Sequence, residues 1–347
     1  MLDLFGDEHP SQANAVQRKK ANTITVTAAA LDPAHQALAA QVPPSVRLGT
    51  SSWHFSGWAG LVWGDAYAQE ALSKHGLPAY AQHPLLRTVS LDRAFYRPMT
   101  VAQYAALAAQ VPDDFRFVVK VPSLISDALI RSTEGDHAGK GLQPNPHFLN
   151  PALMLTACVE PVAQGLGHKL GALVLQISPL PTQWLQPDFK LFEALAQVLP
   201  AQAAIKNIVS HAIIAVEVRN PELLATPLRD ALVRTLREAG ATYCLGLHSK
   251  LPPIEDQLPV LRALWPGPLV CRWNLHRKHG RFGYQAAKDL YEPFSQLVDE
   301  DLQTRETLAK VIHATAAAGY PALVTIGNKA EGSAPLSVVQ LARLLSH

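Results

Sequence analysis

From Val46 to the C-terminus, short apolar runs alternate with longer amphipathic ones eight times over. This constrains the chain more than anything else in it, because a strand that hands over to a helix returns as a parallel neighbour. The strand segments are 46–51, 86–92, 115–120, 171–176, 213–219, 241–247, 268–273 and 321–327. Helical periodicity falls near 66–81, 100–110, 151–165, 188–199, 221–239, 255–264, 284–318 (with a break) and 335–346. Eight such units predict an α/β fold, a closed TIM-like (β/α)8 barrel that forms a single domain over 46–347. An open doubly wound sheet is the alternative. No Gly-x-Gly-x-x-Gly follows a strand, which counts against its dinucleotide-binding version.

Residues 1–45 read differently. They carry Asp7-Glu8, the basic run Arg18-Lys19-Lys20, an Ala/Thr-rich stretch and Pro43-Pro44, with helical spacing only near 34–41. A flexible N-terminal tail is expected there. Of the 347 residues 48% are hydrophobic and 17% charged, with a net charge of +2. That balance excludes disorder across the chain and argues against strong nucleic-acid binding. No apolar run reaches the length of a membrane span, so no membrane association is expected. The N-terminus lacks the basic-then-apolar order of a secretory signal, and a cytoplasmic location is expected. Cys158, Cys244 and Cys271 are odd in number and widely spaced, as buried small hydrophobes would be, with neither a disulfide framework nor a zinc ribbon.

Charges inside the strands obey a parity. Ser90 and Asp92 alternate with Val89 and Leu91, and Glu217 and Arg219 alternate with Val216 and Val218. Lys120 and Gln176 end their strands, Arg272 lies in the seventh and Asn328 follows the eighth. Side chains of a strand alternate sides, so each polar set points one way, toward the barrel axis. Most of the set lies at C-terminal strand ends, where barrel enzymes place their sites. The competing reading is an ion-pair network that closes the barrel.

The same positions carry a family resemblance. Leu48-Gly49-Thr50-Ser51-Ser52-Trp53 is similar to the opening I-G-T-S-G-W motif of the YecE-like family, domain of unknown function 72. Phe95-Tyr96, the run from Pro112 to Phe117 leading to Lys120, Leu173 to Gln176, Ala215 to Arg219 and Asn328 follow in the family's order. The resemblance covers 46–347 and implies a TIM-like barrel, loosely related to sugar isomerases and without a settled activity. Two departures stand out. The family's V-E-I-N reads Val89-Ser90-Leu91-Asp92, and the I-T-H after the lysine reads Ile125-Ser126-Asp127.

These residues suggest acid–base chemistry on a small polar or anionic, carbohydrate-like molecule. Glu217, Lys120, Asp92 and Tyr96 are the candidate catalytic groups. Thr50, Trp53, Gln176, Arg219, Arg272, Asn328 and Lys329 are the candidate binding groups, since the guanidiniums match oxyanions. Trp53 opens an aromatic loop suited either to stacking or to packing. The loop from Gly327 to Ser333 either binds an anion at a helix start or is an ordinary turn. Residues 121–150 form a long connection expected to be a lid, a binding loop or a disordered insert. Metal and other cofactors are not expected: His248 and His276 could join Glu217 or Asp92, but the basic run around His276 repels cations. The alternative is a non-catalytic ligand- or partner-binding protein.

One partner is suggested by the tail. Met1-Leu2-Asp3-Leu4-Phe5 resembles the Q-L-D-L-F type of peptide that tethers bacterial proteins to the replication sliding clamp, with Met in place of Gln. On that reading, the intact chain binds the clamp of its own organism in a calorimetric titration, and Leu4→Ala with Phe5→Ala abolishes the heat. Equal behaviour of the two proteins removes the clamp as a partner.

Overall fold

The computed structural model of the chain describes residues 25–131, 142–186, 190–280 and 283–346. Ten strands occur in it: β1 (Val46–Thr50), β2 (Thr88–Leu91), β3 (Arg116–Lys120), β4 (Leu129–Arg131), β5 (Leu142–Pro144), β6 (Leu170–Gln176), β7 (Ile213–Glu217), β8 (Thr242–Leu247), β9 (Leu269–Trp273) and β10 (Ala322–Ile326). Eight of them close into a parallel barrel in the order β1-β10-β9-β8-β7-β6-β3-β2. Seven of the eight expected strand segments contain a barrel strand whole, and β6 begins one residue ahead of its segment, at Leu170. Helices such as Val101–Ala108, Leu191–Ala203, Leu228–Glu238 and Leu302–Ala317 run between them.

Local chemistry sets the helix starts. Thr100 and Gln103 form a reciprocal capping box ahead of Val101–Ala108. Asp301 accepts from the Thr304 amide at the start of Leu302–Ala317. The strands are rich in Val, Ile and Leu because both faces are buried. Val118, Ala172, Val174, Ala215, Cys244 and Val270 fill the barrel interior as one apolar cluster. Leu173, Leu175 and Val216, of the opposite parity, join the larger core beneath the helices. The polar residues above the interior cluster therefore line the axis at its C-terminal end.

Two regions differ from the sequence expectation. Within the expected tail, residues 25–45 lie against the barrel: Val26 is buried, Ala28 bridges to Trp63, and Asp32 caps the helix Pro33–Gln41. Met1–Phe5 lie outside the described residues. The long connection after β3 contains the short helix Ser123–Ser126 and the antiparallel pair β4–β5. Strands of three residues leave too little period-two signal to be seen in sequence. Among the described residues no helix is long and apolar enough to cross a membrane.

Gly49 shows why the opening motif needs a glycine. It sits opposite Thr88, and a Cβ placed on it would lie 1.8 Å from the Thr88 carbonyl oxygen. Replacement would force β1 away from β2 at the closure of the barrel. Gly49→Ala should lose about 3 kcal/mol or more of stability in urea denaturation, or fail to fold.

Candidate active site

Arg272, inward-facing on β9, organises the mouth. Its Nη1 donates to Glu217 Oε2 at 2.5 Å and to Gln176 Oε1 at 2.9 Å. Its Nη2 donates to both oxygens of Asp92, each at 3.1 Å. One guanidinium thus ties together the ends of β2, β6, β7 and β9. Arg219 adds a second cation: its Nη2 donates to Gln176 Oε1 at 2.9 Å and lies 2.6 Å from Glu217 Oε1. The second approach is off the N–H direction, so it is an ionic contact rather than a hydrogen bond. Ser90 Oγ donates to Asp92 Oδ1 at 2.7 Å.

Because two guanidiniums can only donate, the atom of Gln176 that meets them must be its oxygen. Its NH2 group has no partner among the described residues. Glu217 is fully buried, and Gly246 on neighbouring β8 leaves room for it. A Cβ there would meet Glu217 Oε1 at 3.3 Å and Leu251 Cδ1 at 2.8 Å. Burial alone would raise the Glu217 pKa, but Arg219, Arg272 and Lys120 together hold it below the usual value. Burial opposes the charge of Arg272, yet Asp92 and Glu217 keep it firmly protonated. These groups are fixed in their charged forms.

Lys120 stands apart. It ends β3 with 7% of its surface exposed, and its Nζ lies 3.6 Å from the centre of the Phe95 ring. Among the described residues it makes no ion pair and no hydrogen bond. Burial, helped by Arg272, draws its pKa down to about 8. Contact with the ring favours the ammonium by about 0.5–2 kcal/mol, so Lys120 is charged at neutral pH.

Three more groups face the mouth. Tyr96 is 80% exposed, and burial of part of its ring together with the Asp92 charge raises its pKa. Half-buried Asp127 has its pKa raised by burial against the pull of Lys120. His248 accepts the Lys250 amide at Nδ1, and burial with Arg219 lowers its pKa to about 4. It is neutral at pH 7 with its proton on Nε2.

The structure therefore brings together Asp92, Tyr96, Lys120, Gln176, Glu217, Arg219 and Arg272 from the sequence-derived set. Glu217 and Arg272 are 0% and 2% exposed and lie beneath the accessible surface of the mouth.

Three expected binding residues make hydrogen bonds within the protein. Thr50 Oγ1 donates to the Ser52 carbonyl and meets Tyr80 Oη at 2.9 Å. Trp53 is buried and donates to the Leu72 carbonyl. Asn328 Oδ1 accepts from Trp58 Nε1 and from the Ala334 amide. In the last loop the Ala334 amide donates to Asn328 Oδ1 and Glu331 pairs with Arg305 at 2.5 Å, while the buried Ser333 Oγ has no hydrogen-bond partner among the described residues. Lys329 lies over the rings of Tyr284 and Phe294, at 4.1 and 5.4 Å.

Asp127 was visible in sequence only as a departure from the family pattern, and nothing there showed that its loop returns over Lys120. Among the described residues no group of three or more His, Cys, Asp or Glu converges to hold a metal ion.

Comparison with known proteins adds the fold's relatives. The family described as a protein of unknown function, DUF72, matches residues 47–347. A DUF72 family protein of Thermotoga maritima MSB8 superposes with a TM-score of 0.55 at 17% identity, covering 87% of this chain and 99% of that one. A DUF72 family protein of Enterococcus faecalis V583 gives 0.53 at 20% identity, covering 87% and 96%. Comparison with curated proteins gives no match.

Removing the Glu217 charge leaves two guanidiniums facing an amide. Glu217→Gln should cost about 3–5 kcal/mol in denaturant unfolding, the penalty for stranding a buried charge. Tyr96→Phe, on the exposed rim, should change stability by no more than about 0.5 kcal/mol.

Proposed function

As this chain belongs to the DUF72 family of proteins of unknown function, we propose its activity from its own mouth: it is an enzyme that holds a small polar anion there and moves protons on it. The observation that carries this reading is the uncommitted cation. Arg219 and Arg272 balance Asp92 and Glu217 in one closed network, whereas the Lys120 ammonium has no acceptor among the described residues. A desolvated, unpaired ammonium at a barrel mouth attracts an oxyanion and stabilises negative charge that develops on it.

The surrounding groups fit a carbohydrate-like ligand. The Gln176 NH2 and neutral His248 donate hydrogen bonds, while the exposed rings of Tyr96 and Tyr284 offer faces for stacking. Asp92 and Tyr96 lie within reach of the bound molecule for proton transfer, with Glu217, Arg219 and Arg272 setting their positions. Mass spectrometry of whatever co-purifies with the protein identifies the ligand class directly. A neutral apolar ligand, or tight retention of a molecule with no turnover, removes the enzymatic reading.

Lys120→Met provides the quantitative check. The folded pKa near 8 lies below the unfolded value of 10.5, so the folded state disfavours the ammonium. Wild-type stability is lowered throughout the range below pH 8 and recovers between 8 and 10.5, where the unfolded chain keeps a proton that the folded chain sheds. The variant should therefore be more stable than wild type at pH 7, by about 1–3 kcal/mol, and should lose at least about tenfold in affinity for a small oxyanion. A variant that is destabilised and binds as before contradicts the assignment.

A further inference from the structure

A second cavity lies at the opposite end of the barrel from the mouth, reached by Thr242 and Leu269, the first residues of β8 and β9. Helices Ile254–Ala263 and Leu302–Ala317 form its walls. They are tied near their starts, where Gln303 Nε2 and Thr307 Oγ1 each donate to Glu255 Oε1 at 3.3 Å. Towards their ends a space of about 290 Å³ opens among Leu258, Leu261, Leu264, Val311, Ala314 and Trp265, the last 49% exposed.

The walls offer a ligand few hydrogen bonds. Thr242 Oγ1 donates to the Pro268 carbonyl at 3.1 Å, Thr315 Oγ1 to the Val311 carbonyl at 2.9 Å, and Thr307 Oγ1 to Glu255. The charged residues that line the cavity are Arg262 and Lys310, both exposed and both cations. Among the described residues neither side chain makes a hydrogen bond or an ion pair, and no carboxylate joins the lining. Glu306, one turn before Lys310, does not pair with it, and Glu255 is engaged by Gln303 and Thr307.

We propose that this cavity binds an amphiphilic anion, an unbranched alkyl carboxylate whose tail lies among the leucines and Trp265 while its head meets Arg262 and Lys310. The apolar walls select the chain, and two unpaired cations select a carboxylate head over an alcohol or an amine. A sugar or nucleotide is disfavoured, because its hydroxyls would lose water and find no partners on these walls. The space sits near the lower bound of about 300 Å³ for small-molecule pockets, which suits one chain of modest length. The site is independent of the reading of Lys120 at the mouth.

Decanoate titrated into the full chain below its micelle concentration tests this, against decanol as the neutral counterpart and acetate as the head alone. Calorimetry should give one site, and tryptophan emission should change on binding in wild type but not in Trp265→Phe. Affinity should rise about three- to fourfold per methylene from hexanoate to decanoate. Arg262→Gln with Lys310→Gln should weaken decanoate at least about tenfold and leave decanol within about twofold. Ala314→Phe, which fills the space from an exposed helical position, should abolish both. Lys120→Met should bind decanoate as wild type does. No decanoate binding in wild type, acetate as tight as decanoate, or undiminished binding in the double variant overturns the proposal. Loss of binding in Lys120→Met, or an emission change that survives Trp265→Phe, moves the anion elsewhere and overturns it too.

Discussion

A single buried guanidinium holds the mouth of this barrel together. From β9, Arg272 reaches carboxylates on β2 and β7 and the amide of Gln176 on β6, spanning the lumen rather than linking neighbouring strands. The four bonds that Arg272 donates exceed the three N–H donors of a lysine ammonium, so lysine could not reproduce them. Removing a cation from water is expensive, and the attraction of two carboxylates with well-aligned hydrogen bonds offsets that cost. The interior beneath is filled by small and branched apolar side chains, which leaves the network dry on its lower side.

That arrangement divides the polar residues by task. Groups inside the network are fixed in charge and position, because each stabilises the ionised form of another. A residue fixed in this way is poorly suited to exchange a proton during a reaction, but it is well suited to hold a neighbour. Lys120, Asp127 and Tyr96 lie outside that network, without an ion pair among the described residues. The split follows from burial and pairing, and it reverses the ranking that residue type alone suggests.

Much of this was legible in the sequence. The alternation of Glu217 and Arg219 with Val216 and Val218 was enough to turn the charges of β7 inward, because a strand's period is fixed by its backbone. The same logic placed Asp92, Lys120, Gln176 and Arg272 at one end of one barrel. What stayed hidden depends on three-dimensional closeness. Parity cannot tell which carboxylate meets which guanidinium across a lumen, since strand tilt and stagger decide that. Thr50, Trp53 and Asn328 have the residue types of ligand-binding groups, yet Thr50 Oγ1, Trp53 Nε1 and Asn328 Oδ1 meet Ser52, Leu72 and Ala334 of the protein itself. The strands β4 and β5 were invisible because three residues carry no pattern.

The connection after β3 carries two uncommitted charges, Lys120 at its start and Asp127 within it. It leaves the barrel at Lys120, turns through Ser123–Ser126 and is clamped by Asn145 before the β4–β5 pair extends it. The β3–β6 ladder also shifts register between Phe117 and Val118, one turn of the pleat below the lysine. Lys120 is buried at the end of its strand, against the Phe95 ring, with no acceptor among the described residues. Burial penalises charge of either sign, so it pulls the lysine down and pushes the aspartate up, narrowing the gap between them. The connection fixes Asp127 by its backbone carbonyl, which Asn145 Nδ2 holds at 2.7 Å, but leaves its carboxyl and the Lys120 ammonium without an ion pair among the described residues.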